Sequence, residues 1–384
     1  MEERIYLDHA AAMPVHPGVA RFCRQFPGGF AGNPSTIYQE GLAAQATVAG
    51  AREKVAALVG ARDPASIIFT SGATESNNIA VRGTALRNQK MGKRVVTSAI
   101  EHISVLNPAK DLQKNGFTFT EVPVDHFGII DLDALTAAVM PETVVTSVHY
   151  ANNEIGTIEP IREVAKIVHD RGGFLHVDAT DAAGRIPIDV ERDGIDLLTL
   201  SSNQLGGPDG VGALYIRPGV RVQPVIVGGG QERGLRPGTE NVFGIACMGE
   251  AARIAKEEMP GESERLRGIR DRLIAGITGI EEAYLTGHPT ERLPHHASFR
   301  FARIEGESIQ LAMNMLGIAI ATGSACTSRT LEASHVLLGI GLAHDEAHGS
   351  MVATLGRENS PDEVPRVVSA ARETVKRLRA ITPL

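Results

Sequence analysis

The chain has 384 residues, 43% of them hydrophobic, and a formal net charge of −7. That length suits two lobes, and the balance of apolar and charged residues describes a globular protein with ample core. The absence of a lysine/arginine run or a basic helix face argues against nucleic acid and anionic membrane as partners. From the N-terminus, Met1-Glu2-Glu3-Arg4 runs straight into an apolar strand, so a signal peptide is not expected, and no apolar window is long enough for a membrane span. Strands are predicted at Ser66–Thr70, Arg94–Ser98, Thr118–Val122, Thr143–Val148, Phe174–Val177, Leu197–Leu200 and Gly212–Ile216. Helical patterns lie between most of them, as at Leu42–Val59 and at Ile161–Arg171, the latter closed by Gly172 and Gly173. Such alternation predicts a mostly parallel sheet covered by helices on both faces. From about Glu257 the pattern changes to a long charged helix (Gly261–Ile280), short strands, a Gly/Ser/Thr-rich loop and a final helix, Pro361–Ile381. The predicted division is a large α/β domain over residues 16–256, with 1–15 and 257–384 forming a small α+β one.

The three cysteines, Cys23, Cys247 and Cys326, are far apart and odd in number. A reduced, cytoplasmic protein is expected rather than a disulfide framework, and there is no CxxC metal pair. Cys23 and Cys247 have helical, apolar surroundings and read as structural. Cys326, in Ala321-Thr322-Gly323-Ser324-Ala325-Cys326-Thr327-Ser328, is presented by tiny polar residues and reads as a reactive thiol.

Other segments carry chemistry with a bland alternative beside it. Thr70-Ser71-Gly72-Ala73-Thr74 between a strand and a helix is either a phosphate cradle or an ordinary N-cap. Asp178 stands at the C-terminal end of a strand, where α/β folds place ligands; it either pairs with a protonated ring nitrogen or caps the next helix. His102 either stacks on a planar ligand or is structural. Asn152–Gly156 is a polar turn at another sheet edge, and Gly228–Thr239 suits an ordered loop carrying anion-binding groups.

In order and spacing, Tyr6–Ala11, Gly32–Ser35, Thr70–Asn78, Glu101-His102, Asn152–Gly156, His176–Thr180, Gly228–Thr239 and Gly323–Ser328 resemble the NifS/IscS-like cysteine desulfurases. These are class V, fold-type I enzymes of pyridoxal 5′-phosphate (PLP). The resemblance implies a homodimer whose large lobe carries a mostly parallel seven-stranded sheet, with a small C-terminal lobe. It implies PLP as cofactor, L-cysteine as substrate, and a persulfide passed to an IscU-type iron–sulfur scaffold or another sulfur acceptor. By position, Ala73, Thr74 and Ser201 match the phosphate site, and Thr239 matches a residue reaching the neighbouring subunit's phosphate. His102 matches the ring-stacking histidine, Asn153 the phenolate contact, Asp178 the pyridinium partner and Cys326 the persulfide cysteine.

Four positions depart from that pattern. Where the family reads Ser-x-His-Lys, this chain reads Ser201-Ser202-Asn203-Gln204, so the Schiff-base lysine and a phosphate-contacting histidine are both replaced. A carboxamide forms no imine and moves no Cα proton. Asp181 replaces a neutral glutamine, setting a second carboxylate near Asp178 with no fixed cation expected to offset it. Val352 stands where an arginine would clamp the substrate carboxylate. All four belong to amino-acid chemistry, while the thiol loop is kept. The leading expectation is therefore a degenerate homologue, with PLP absent or held non-covalently. Cys326 then serves as persulfide carrier or as a ligand of a transient iron–sulfur cluster. The alternatives are an active desulfurase (L-cysteine to L-alanine plus enzyme persulfide) with non-covalent PLP, and a different enzyme using Asp178 and Asp181 for a metal.

Overall fold

The fold was taken from a computed structural model, which describes residues 4–26, 29, 31–323 and 333–381. The strands, in chain order, are β1 (Ile5–Tyr6), β2 (Ile67–Thr70), β3 (Arg94–Ser98), β4 (Thr118–Val122), β5 (Thr143–His149), β6 (Phe174–Asp178), β7 (Leu197–Ser201), β8 (Gly212–Ile216), β9 (Ala283–Leu285), β10 (His296–Phe301), β11 (Ile318–Ala319) and β12 (Ser350–Thr354). Among the described residues, β2 to β8 form a seven-stranded sheet in the order β2-β8-β7-β6-β5-β3-β4. Strands β7-β6-β5-β3-β4 are parallel, and only β8 runs against its neighbours. The mostly parallel seven-stranded sheet expected from the resemblance is thus present, and each of its predicted strands lies within one residue of its observed bounds.

The physical reason is burial on both faces. Every residue of β5 is buried, as is every residue of β2 and β8, so their apolar and β-branched runs need no alternation. Helices α1 (Pro17–Cys23), α2 (Gln39–Leu58), α3 (Ala73–Asn78), α4 (Thr84–Arg87), α5 (Ile103–Asp111), α6 (Leu132–Ala138) and α7 (Ile161–His169) supply the cover. In α7, Ile161, Val164, Ala165 and Val168 form the buried stripe at helical spacing, and Gly172, with φ 78°, takes the left-handed position that ends it.

The long charged helix is corrected: it does not begin near Gly261. A single helix, α8 (Val242–Thr278), spans 37 residues, with Pro260 inside it. Its first half packs Ile245, Cys247, Met248 and Ala252 into the core of the large sheet. Its second half packs Leu266, Ile269, Leu273 and Ile277 into a second core with β10, β12, Ile5 and Leu7. The charge-rich middle of α8 marks a crossing between cores rather than a helix start. Sheet β12-β10-β9, the β1-β11 pair and helices α9 (Gly306–Met315), α10 (His335–Gly339), α11 (His344–His348) and α12 (Val364–Ile381) complete the chain.

The cysteine expectation also needs correction. Cys23 and Cys247 are joined as a disulfide, with Cα atoms 6.1 Å apart across a sequence separation of 224 residues. Helix α1 packs on α8, which brings together two positions that are remote in sequence. Cys326 lies outside the described residues. Among the described residues, no helix is long and apolar enough to cross a membrane.

Candidate active site

Parallel register puts the C-terminal ends of β5, β6 and β7 on one edge, with His149 paired to Asp178 and Asp178 paired to Thr199. A cavity of about 540 Å³ opens there. Ala73, Thr74, Ser201 and Asp178 line it, together with His102, Asn153 and Gln204. The structure therefore brings together the seven described residues expected to serve one site within this chain. Thr239 is exposed and does not line this cavity.

On the strand side, Asp178 is 7% exposed and its oxygens are engaged. Oδ1 accepts from the Thr180 amide (3.0 Å) and hydroxyl (2.6 Å), and Oδ2 accepts from Asn77 Nδ2 (2.7 Å). Asn77 Nδ2 also donates to Ser104 Oγ (2.8 Å), which lies 2.7 Å from His102 Nδ1. His102 is at the same time the N-cap of α5, accepting from the Ser104 amide at 3.1 Å. The structural and functional readings of this histidine are thus compatible. Asn77, Ser104 and Thr180 were missed by sequence reasoning, although Asn77 lies within the Thr70–Asn78 motif and Thr180 closes the His176–Thr180 motif.

The cradle side begins at Gly72, whose φ of 152° favours glycine, ahead of α3. Gly212 backs it so closely that a Cβ there would stand 2.6 Å from the Gly72 Cα. Ser201 Oγ donates to Asn203 Oδ1 (2.6 Å), which also accepts the Gln204 amide (3.0 Å). The hydroxyl that would face a phosphate is engaged by the residue replacing the family histidine.

Gln204 is 9% exposed, and its Nε2 donates to the carbonyl of Ala10 at 2.5 Å. No lysine or arginine lines the cavity among the described residues, whereas Asp8, Glu75, Glu154, Asp178 and Asp181 do. Val352, in β12, supplies a buried apolar wall. The residues present therefore do not fit a Schiff-base-bound PLP: among the described residues the lining has no amine to form the imine and no lysine or arginine to meet a phosphate. Among the described residues, no three His, Cys, Asp or Glu side chains are grouped to hold a metal.

Burial, and then the charge of Asp178, push Asp181 up to about 7. The expectation that no cation offsets Asp181 is corrected, because His149 and Arg185 both pull in the opposite direction. His149 sits between Glu101 (3.0 Å) and Glu159 (3.6 Å). Burial alone would push its pKa down, but the two carboxylates outweigh it and hold it at about 10. Burial likewise raises Glu154 to about 8, against a hydrogen bond from Ser334. A raised carboxyl stabilises the fold while protonated, so Asp181's contribution is complete below its unfolded value and is lost as pH rises through about 7. Asp181→Asn is therefore expected to flatten the fall in stability between about pH 5 and pH 8 by about 2 kcal/mol, read by denaturant unfolding at both ends. A variant as steep as the wild type would remove Asp181 from this account.

The chain matches the model of the family described as Aminotransferase class-V over residues 5–367. It belongs to that family. Within it the chain is of the NifS/IscS-like cysteine desulfurase type, as its relatives show. It is 48% identical over 379 residues to a protein named cysteine desulfurase IscS 1 of Archaeoglobus fulgidus, covering 99% of each chain. It is 43% identical to the cysteine desulfurase IscS of Methanosarcina thermophila, covering 99% of this chain and 94% of that one. Among solved structures, a NifS-like protein superposes with a TM-score of 0.91 at 34% identity, covering 98% of this chain and 100% of that one. SspA in complex with cysteine gives 0.80 at 32% identity, covering 91% and 98%. This class-V member thus keeps the fold of its relatives, and Gln204 lines the cavity at the edge of its sheet.

Proposed function

We propose that this class-V protein acts in sulfur transfer for iron–sulfur assembly without carrying out the PLP reaction itself. The observation that carries this reading is Gln204: a carboxamide tied to the Ala10 carbonyl, in a cavity that no described lysine lines. Cys326 is the working group in this account. Its thiolate attacks the outer sulfur of a donor persulfide, the donor leaves as a thiolate, and the sulfur carried on Cys326 passes to an IscU-type scaffold or another acceptor. Contact of Cys326 with a cluster forming on that scaffold is the other form of the same role. The chain works in the cytoplasm as a homodimer, in which Thr239 reaches the neighbouring subunit's site. Residues 16–256 form the large domain, and 1–15 with 257–384 the small one.

Cys326→Ala is expected to abolish transfer of labelled sulfur from a low-molecular-weight persulfide to the scaffold, while its circular dichroism stays that of the wild type. Undiminished transfer in that variant contradicts the proposal. A second reading, active desulfuration with non-covalent PLP, is favoured by the surviving Thr74, Ser201 and Asp178 and by the relatives' names. It requires sulfide release from L-cysteine when PLP is added, which the first reading does not allow.

A further inference from the structure

Gln204 lines both the main cavity and a second cleft, of about 50 Å³, whose other lining residues include Arg185, Met13, His16, Glu258, Glu262 and Arg357. Arg185 is only 7% exposed, yet among the described residues the one hydrogen bond its guanidinium makes is to the thioether of Met13, at 3.1 Å. A thioether is a weak acceptor, and a buried guanidinium ordinarily has a carboxylate or carbonyls around it. The carboxylates of the cleft are engaged elsewhere. Glu258 is paired with Arg357 and lies 3.3 Å from His16. Glu262 is held in a two-point grip by Arg265, at 2.8 and 2.9 Å. Each carboxylate of the cleft thus has a guanidinium partner other than Arg185.

The surroundings respond to that charge. The neighbouring buried imidazoles of His9 and His295 are both pushed down, first by burial and next by Arg185, His9 to about 4. Arg185 itself is lowered by burial, with only partial relief from Glu262 and Asp181. A planar guanidinium with free donor edges matches a carboxylate group in two-point fashion. The cleft has room for one small ion of that kind.

We propose that this cleft binds a small carboxylate monoanion, formate or acetate in size, on the Arg185 guanidinium. The ligand would sit one side chain away from the main cavity, separated from it by Gln204. This goes beyond the sulfur-transfer reading and does not depend on it.

The test is equilibrium dialysis of the full chain against labelled formate at low ionic strength. One saturable site per chain is expected. In Arg185→Met the affinity should fall by roughly tenfold or more, as for loss of a charge-assisted pair. Arg185→Lys keeps the charge but not the fork, so it is expected to fall between the two and serves if the methionine variant does not fold. Absence of saturable uptake by the wild type overturns the proposal, as does equal uptake by the wild type and the variants.

Discussion

Gln204→Lys combined with Val352→Arg is expected to convert a chain that retains no PLP through gel filtration into one that retains it stoichiometrically. Gln204 already lines the main cavity, so a lysine at that position presents its amine to the same space. Only the bond from Nε2 to the Ala10 carbonyl is given up, and an ammonium can donate to that carbonyl in its place. The new positive charge also offsets the carboxylates of Asp178 and Asp181, which otherwise face each other with Asp181 raised to about 7. Val352, buried in β12 against the cavity, is the position from which an arginine would reach a substrate carboxylate. Asn203 and Asp181 stay unchanged in this variant, so cofactor retention is expected to return ahead of turnover. Equal retention by the wild type and the variant would show that the lysine position is not what decides.

The largest stability effect is expected at Glu232. This residue is 7% exposed and has φ 45°, with Arg233 beside it at φ 57°. Its carboxylate takes both arms of Arg52, at 2.6 and 2.8 Å, and the amide of Phe69 at 2.9 Å. Arg52 in turn donates to the carbonyl of Ile67 and stacks over the Phe69 ring at 4.9 Å. The Gly-rich loop is thus anchored to β2, immediately before the cradle at Ser71–Thr74. Glu232→Gln leaves the Arg52 charge without its partner and is expected to cost about 3 kcal/mol by denaturant unfolding. Replacing both residues by methionine removes the stranded charge and is expected to cost less than the single change. A single variant that unfolds like the wild type contradicts the anchoring role.

Most of the large sheet was legible in the sequence because its strands are buried on both faces and separated by amphipathic helices. Phe69, Val145 and Val177 announce themselves by composition alone. The seven lining residues were legible through the resemblance, which fixed their order along the chain, while parallel register put them on one edge. What was not legible depended on contacts remote in sequence. The Cys23–Cys247 disulfide follows from α1 lying on α8, and α8 itself hides its passage between two cores under a charged middle. Asn77 and Ser104 join His102 to Asp178 only once α3 and α5 meet. The cations near Asp181 come from His149 on the neighbouring strand and from Arg185, four residues on in a non-helical turn where helical spacing rules do not apply.

The central claim is that the cavity lacks the chemistry to bind PLP as an imine. The most direct measurement is intact mass of the full chain after incubation with PLP, reduction with borohydride and desalting under denaturing conditions. The wild type is expected to keep its mass, and Gln204→Lys to gain a single phosphopyridoxyl group. A stoichiometric phosphopyridoxyl addition on the wild-type chain, mapped to a lysine that reaches the cavity, would contradict it.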